Sequence, residues 1–194
     1  MLVQRESFDE FVSLLEPAVA GWTVGDPTEP GTRMGPLVSA AHRTTVEGFL
    51  AAGMGEPSGG PVPIRMAGAV PGGPGYWFPP TVVAPAGRDW RMAREEIFGP
   101  VVAVIPFDDE EDAVRVANDT PYGLSGSIWT RDGARALRVA RAVESGNLSI
   151  NSHSSVRVQT SFGGMKQSGL GRELGLEALA SYSEVKNVFV STEP

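Results

Sequence analysis

Residues Arg94-Glu95-Glu96-Ile97-Phe98-Gly99-Pro100 run directly into Val101-Val102-Ala103-Val104-Ile105-Pro106-Phe107, the most apolar run in the chain. Continuous Val and Ile without polar alternation describes a strand covered on both faces, the pattern of a parallel sheet. Gly99-Pro100 marks where the chain enters it. Two adjacent carboxylates and an aromatic ring therefore stand on a loop at a strand edge. A carboxylate there can accept hydrogen bonds from both hydroxyls of a sugar while a ring covers a flat heterocycle. Two solvated acids before a strand is the plainer reading of the same spacing.

Toward the C-terminus the pattern becomes regular. Asp109 to Asn118 and Asp132 to Ser145 read as helices, and Leu124 to Thr130 and Asn147 to Asn151 as strands. With Val101 to Phe107 this is βαβαβ, which requires a parallel sheet with right-handed crossovers. Asp108-x-x-Glu111 is placed to cap the first helix, and Gly146 to stop the second in a left-handed conformation. After a glycine-rich loop, a short helix is expected around Leu174 to Ala180 and a last strand over Val185 to Ser191. The fold class is α/β, an open parallel sheet with flanking helices.

Toward the N-terminus, a short apolar piece, Met1 to Gln4, precedes Ser7-x-x-Glu10, a capping box leading into Phe8, Phe11, Val12, Leu14, Leu15 and Val19 at helical spacing. That helix should end near Gly21. Turn residues Gly25-Asp26-Pro27 and Pro30-Gly31 lead to a second helix from about Ser39, with Val46, Phe49 and Leu50 as its apolar face. Residues 53 to 75 are dense in Gly and Pro around one apolar patch, Val62 to Met66, a candidate edge strand. A linker between domains is the alternative reading of this segment.

A chain of 194 residues, 41% hydrophobic and 20% charged, is globular and long enough for one core. Its net charge of -7 and the absence of a Lys/Arg cluster argue against nucleic acid and anionic membranes as partners. No apolar run approaches the roughly 20 residues that span a bilayer, and no basic-then-apolar leader is present, so a cytoplasmic location is expected. The absence of cysteine excludes disulfides, cysteine metal sites and thiol chemistry by residues 1–194 together.

Several tempting motifs fail on context. Gly169-Leu170-Gly171-Arg172-Glu173-Leu174 lacks the third glycine, the preceding strand and the following βαβ unit of a dinucleotide fingerprint. Gly164-Met165-Lys166-Gln167-Ser168 lacks the Lys-Ser/Thr pair of a phosphate loop. His42 and His153 have no second ligand at metal spacing, and read as structural or exposed. Asn118-Asp119-Thr120 and Asn147-Leu148-Ser149 fit the glycosylation pattern without a secretory signal. No G-x-S-x-G nucleophile elbow occurs.

Four segments, in order, resemble one family. Glu95 to Pro100 is similar to the E-E-x-F-G-P signature of the NAD(P)-dependent aldehyde dehydrogenase superfamily. Gly75-Tyr76-Trp77-Phe78-Pro79-Pro80-Thr81 resembles its G-Y-F-x-P-T segment, Asn118 to Leu124 its N-x-x-x-Y-G-L turn, and Ser161 to Gly169 its P-F-G-G-x-K-x-S-G loop. The resemblance covers essentially all 194 residues. It implies that 1–194 is one domain, an incomplete aldehyde dehydrogenase catalytic domain, with 185–194 as a C-terminal oligomerisation strand that pairs with a neighbouring subunit. It also argues against a linker at 53–75.

By the same resemblance, Glu96 is the glutamate that hydrogen-bonds the nicotinamide ribose and Phe98 the ring on the nicotinamide side. Phe162 falls at the aromatic position facing the aldehyde, and His153 to Phe162, including Val156, lines the substrate entrance. Ser161 stands where the family usually has proline, which is expected to loosen that loop. Family chemistry is attack of a cysteine thiolate on the aldehyde, hydride transfer to NAD(P), and thioester hydrolysis by glutamate-activated water. In the family the nucleotide-binding domain, the cysteine, the base and the oxyanion asparagine all lie N-terminal to the segment that Met1 to Gln4 resembles. NAD or NADP is thus implied for the complete enzyme, with none bound tightly by this chain alone, and no catalytic residue is assigned within it. Three alternatives follow: a piece of a split aldehyde dehydrogenase, inactive without its complement; a non-catalytic interaction module that associates with complete homologues; or a truncated reading frame. The expected partner is a second copy or a complete or complementary aldehyde dehydrogenase chain.

Overall fold

The apolar run 101–107 forms two strands rather than one. Val101–Ala103 and Ile105–Phe107 are separated at Val104, where the chain changes partner. The Val104 N–H still donates to the Val83 carbonyl at 2.9 Å, whereas that of Ile105 donates to Met1 at 2.8 Å. Burial was legible from composition, since Val104 is fully buried. The partner switch was not, because hydropathy carries no information about which strand lies alongside.

The structure is a computed structural model describing residues 1–51, 62–153 and 156–193. These divide into two compact units, Met1–Val116 and Ala117–Pro194. In the first, β1 (Leu2–Gln4) leads through a 3-10 turn into α1 (Phe8–Ala20), followed by α2 (Ala40–Leu50), β2 (Ile64–Ala67), β3 (Thr81–Val83), α3 (Arg91–Arg94), β4 (Val101–Ala103) and β5 (Ile105–Phe107). Strands β2, β3 and β4 form an open sheet, β3 lying parallel to β4 and antiparallel to β2, while β1 pairs parallel with β5. The apolar patch expected as an edge strand is that edge. Part of the Gly/Pro-rich segment, 52–61, lies outside the described residues.

Alternation along β3 explains the continuous apolar pattern. Val82 packs with Val3, Val12, Ala84 and Val104 beneath α1, and Val83 packs with Phe49, Val62, Ala86, Met92 and Ile105. Successive strand residues face opposite sides, so a sheet covered on both sides needs apolar residues at every position. Burying each such Val or Phe stabilises by about 1.5–3 kcal/mol.

Two helix caps depart from expectation. Ser7 precedes α1 but makes no side-chain cap bond, because residues 5–7 are already wound into the 3-10 turn. The next helix, α4 (Glu110–Asn118), is capped by Asp109 rather than Asp108: Asp109 Oδ1 accepts from the Asp112 N–H at 2.8 Å. Asp108 is occupied by an ion pair with Arg5 at 2.5 Å. By contrast, α2 begins where expected, after Ser39, and Ser39 caps it, its Oγ accepting from the His42 N–H at 3.1 Å.

The second unit contains β6 (Tyr122–Gly123) antiparallel to β9 (Met165–Lys166), and β7 (Ser125–Ile128), α5 (Gly133–Ala142) and β8 (Asn147–Ile150). Strands β7 and β8 are parallel, so the expected βαβαβ reduces to one βαβ unit, its helix capped by Asp132. Gly146 is not left-handed: α5 ends at Ala142 with an extended Val143. The expected helix at 174–180 begins later, as a 3-10 helix over Glu177–Tyr182, since Leu174 and Gly175 both have positive φ (59° and 61°). Residues 183–193 form no ladder with any described residue, and Val185, Val188, Phe189 and Val190 are exposed. A strand needs a neighbouring edge, and none is presented to this segment among the described residues.

Candidate active-site cleft

Glu95 to Pro100 leaves the C-terminus of α3 and enters β4. Its ends are tied down: the Glu95 N–H donates to Arg91 at 2.8 Å, and the Pro100 carbonyl accepts from Thr81 at 2.8 Å. The two adjacent acids then diverge. Arg91, whose guanidinium lies 4.2 Å from the Phe49 ring centroid, donates from Nε to Glu95 Oε2 at 2.8 Å. Glu96 is exposed, and no hydrogen bond or ion pair from the described residues engages its carboxylate.

Phe98 adopts φ +53°, a region that L-residues rarely occupy, and the residue is 76% exposed. Its carbonyl accepts from His42 Nε2 at 2.6 Å, with the two ring centroids 6.2 Å apart. Gly99 packs so closely on α2 that a Cβ would lie 2.6 Å from Val46 Cγ2. Glu96 and Phe98 thus share the rim of an open cleft of about 340 Å³, with Met92, Val102 and Ile105 among its walls. That volume lies at the small end for ligand sites. Met1 also lines it; its amino group donates to the Ala103 carbonyl at 2.6 Å, and burial pushes this amine below its ordinary value.

Phe162 and Val156 belong to the second unit. Phe162 is half-buried and exchanges two 2.7 Å backbone hydrogen bonds with Glu173; Val156 is exposed. Ser154 and Ser155, within the expected entrance segment, lie outside the described residues. The hydroxyl of Ser161 donates to Glu177 Oε2, and this bond holds the Glu177 carboxyl below its usual range. Ser161 therefore ties the loop that its replacement of proline was expected to loosen. Further along, Lys166 Nζ bonds the Asn118 carbonyl at 2.8 Å, that of Thr120 at 3.2 Å and Glu144 Oε2 at 2.7 Å.

Sequence reasoning missed His42 and Val46 as parts of this loop's setting. Their i, i+4 spacing on a capped helix shows that they share a face, but not what the face meets. Among the described residues, no cluster of three or more His, Asp or Glu forms a metal site, and no helix is long and apolar enough to cross a membrane.

The fold is α/β with open sheets, and one strand-edge loop carries an unengaged glutamate and an exposed phenylalanine. The aldehyde dehydrogenase family matches residues 1–188, and the chain belongs to that family. It is 41% identical over 198 residues to betaine aldehyde dehydrogenase of Rhizobium leguminosarum bv. trifolii, covering 100% of this chain and 40% of that protein. It is 39% identical over 190 residues to geranial dehydrogenase of Castellaniella defragrans, covering 98% and 39%. Among solved structures, a point mutant of Staphylococcus aureus betaine aldehyde dehydrogenase in complex with NAD+ superposes with a TM-score of 0.90 at 36% identity, covering 100% and 39%. Mycobacterium tuberculosis aldehyde dehydrogenase complexed with NAD+ gives 0.86 at 38%, covering 94% and 37%. The chain spans about 40% of the length of the curated relatives it matches.

Proposed function

We propose that residues 1–194 supply the nicotinamide-ribose contact and part of the aldehyde entrance of an NAD(P)-dependent aldehyde dehydrogenase, and that they turn over no aldehyde alone. The carrying observation is the contrast between neighbouring acids: Glu95 is held by Arg91, while Glu96 is unengaged beside the exposed ring of Phe98. An ionised carboxylate accepts only, which suits a ribose diol, and an exposed ring suits a flat heterocycle. The bound NAD+ of the related structures supports the same cofactor here, where it would act as hydride acceptor. Glu96 would hold the ribose, Phe98 the nicotinamide side, and Phe162 and Val156 the aldehyde. Thiolate attack requires a cysteine from outside these residues, since they contain none. Phosphate and adenosine contacts must come from elsewhere too, so affinity for the dinucleotide is weak without a complement.

The partner is a second copy or a complete or complementary aldehyde dehydrogenase chain. The exposed apolar run Val185, Val188, Phe189, Val190 favours this and also supports the second reading, a non-catalytic module that associates with complete homologues.

The test is a chimera in which residues 1–194 replace the matching C-terminal part of a relative. The isolated chain is expected to reduce no NAD(P) with aliphatic, aromatic or amino aldehydes, whereas the chimera turns over. In it, Glu96→Gln loses a charge-assisted hydrogen bond worth about 1.5–3 kcal/mol, roughly a ten- to hundredfold fall in kcat/KM, without change in Tm. Turnover by the isolated chain, or an unimpaired Glu96→Gln chimera, would overturn the proposal. An inactive but assembled chimera would favour the second reading.

A further inference from the structure

Helix α2 grips the Phe98–Gly99 peptide from one side. His42 Nε2 lies 2.6 Å from the Phe98 carbonyl oxygen, across 56 residues of sequence. One turn further along, Val46 fills the space beside Gly99 that a side chain would need. A carbonyl can only accept, so Nε2 carries the proton and donates. We infer that His42 is a positioning residue for the Phe98 ring: its Nε2–H holds the Phe98 carbonyl and so keeps that residue left-handed, with its ring exposed at the cleft.

Three observations combine. An L-residue at φ +53° is strained and persists only where its surroundings hold it. The bond at Nε2 is a short one, joining a helix to the middle of the loop. Finally, Nδ1 of the same ring is buried and has no hydrogen-bond partner. Packing alone would be better served by an aliphatic side chain, which leaves no buried nitrogen unsatisfied. What an imidazole adds here is the donor at Nε2. The functional meaning rests on the assignment of Phe98 to the nicotinamide side.

Phe98–Gly99 and Phe162–Gly163 are the two Phe-Gly dipeptides in the sequence. Labelling the 1–194 chain with carbonyl-13C phenylalanine and 15N glycine therefore yields two carbonyl-to-amide cross-peaks, one from the bond in question and one as internal control. Phe98→Leu assigns them, and magic-angle spinning serves if the chain sediments as an assembly. His42→Gln places an N–H near the imidazole Nε2, whereas His42→Asn reaches only the Nδ1 position and His42→Leu has no donor. The Phe98–Gly99 peak is expected to stay in place in His42→Gln and to move upfield in carbon in His42→Asn and His42→Leu, with the control peak still. If His42→Leu fails to fold by its melting curve, the Asn and Gln variants carry the same comparison. An unmoved peak in Asn and Leu, or an equal displacement in all three variants, would overturn the inference. Added nicotinamide mononucleotide is expected to perturb the Phe98–Gly99 peak in the wild type and His42→Gln more than in His42→Leu. If it perturbs nothing even in the wild type while the variants still separate, the cofactor assignment of Phe98 falls and the anchoring bond stands.

Discussion

Gly146 and Gly163 approach so closely that a Cβ built on Gly146 would fall 1.8 Å from the Gly163 carbonyl oxygen. The contact is backbone on backbone, so no rotamer change can relieve it. Gly146→Ala is expected to destabilise the second unit by at least about 3 kcal/mol, the upper end of ordinary overpacking, a fall in its Tm of roughly 12–24 °C. Gly133, at the start of α5, has nothing within 4 Å of a built Cβ. Gly133→Ala should leave Tm unchanged or raise it slightly, and thermal melts of the two variants side by side check the contrast.

Gly99 meets a side chain rather than backbone, which predicts a different result. Gly99→Ala pushes on Val46, which is fully buried. Each single variant, Gly99→Ala and Val46→Ala, should lose about 1–3 kcal/mol, one by overpacking and one by leaving a cavity. The double variant should lose less than their sum. Denaturant titrations of all four proteins would show a favourable coupling, and strict additivity would contradict the contact.

Acid sensitivity should follow Asp112. The Arg88 guanidinium, then the Asp108 N–H and Arg115, hold its carboxyl well below the usual range. A carboxyl with a depressed folded pKa contributes stability fully above its unfolded value of about 3.9, and loses it as pH falls through the folded one. Wild type should therefore exceed Asp112→Asn in Tm at neutral pH, with the gap narrowing progressively below about pH 4. A gap independent of pH between 7 and 2.5 would assign the difference to packing.

Association is predicted from the C-terminal segment. Val185, Val188, Phe189 and Val190 are exposed, with Lys186 the one positive charge among residues 185–194. Such a segment invites backbone pairing with another edge. Sedimentation of the 1–194 chain should show a dimer, a larger assembly or poor solubility, and deletion of 185–194 should shift it toward monomer. A monomer at tens of micromolar, unaltered by the deletion, would contradict this.

What could be read from the residues was local chemistry. Ser39 before Val46, Phe49 and Leu50 specifies α2 because cap and apolar spacing agree within one segment, and the same holds for Asp132 and α5. Glu96 and Phe98 sit on one loop because they are two residues apart. Two failures were local, at Ser7 and at Leu174-Gly175, where the backbone is wound differently; the others involve a partner remote in sequence. Asp108 and Asp109 were equally fit to cap α4, and Arg5 decided between them. Gly146 followed a helix, as a left-handed stop would, but its requirement is the Gly163 carbonyl. Spacing alone did not tell which of Glu95 and Glu96 Arg91 would engage, and His42 reaches Phe98 across a separation that no periodicity reports.

The pairing of Leu2–Gln4 with Ile105–Phe107 has a temporal side. These strands are parallel partners roughly a hundred residues apart, and closing a loop of that size costs about 4 kcal/mol before any contact repays it. On a ribosome adding about 5–20 residues per second, β1 and α1 emerge roughly 5–20 s before the strand that completes their ladder. Val3, Phe8, Phe11 and Val12 have no finished sheet to lie on during that interval. Within the first unit, β1 and α1 are therefore made before the strand that secures them, and their apolar face waits on β5 for its ladder.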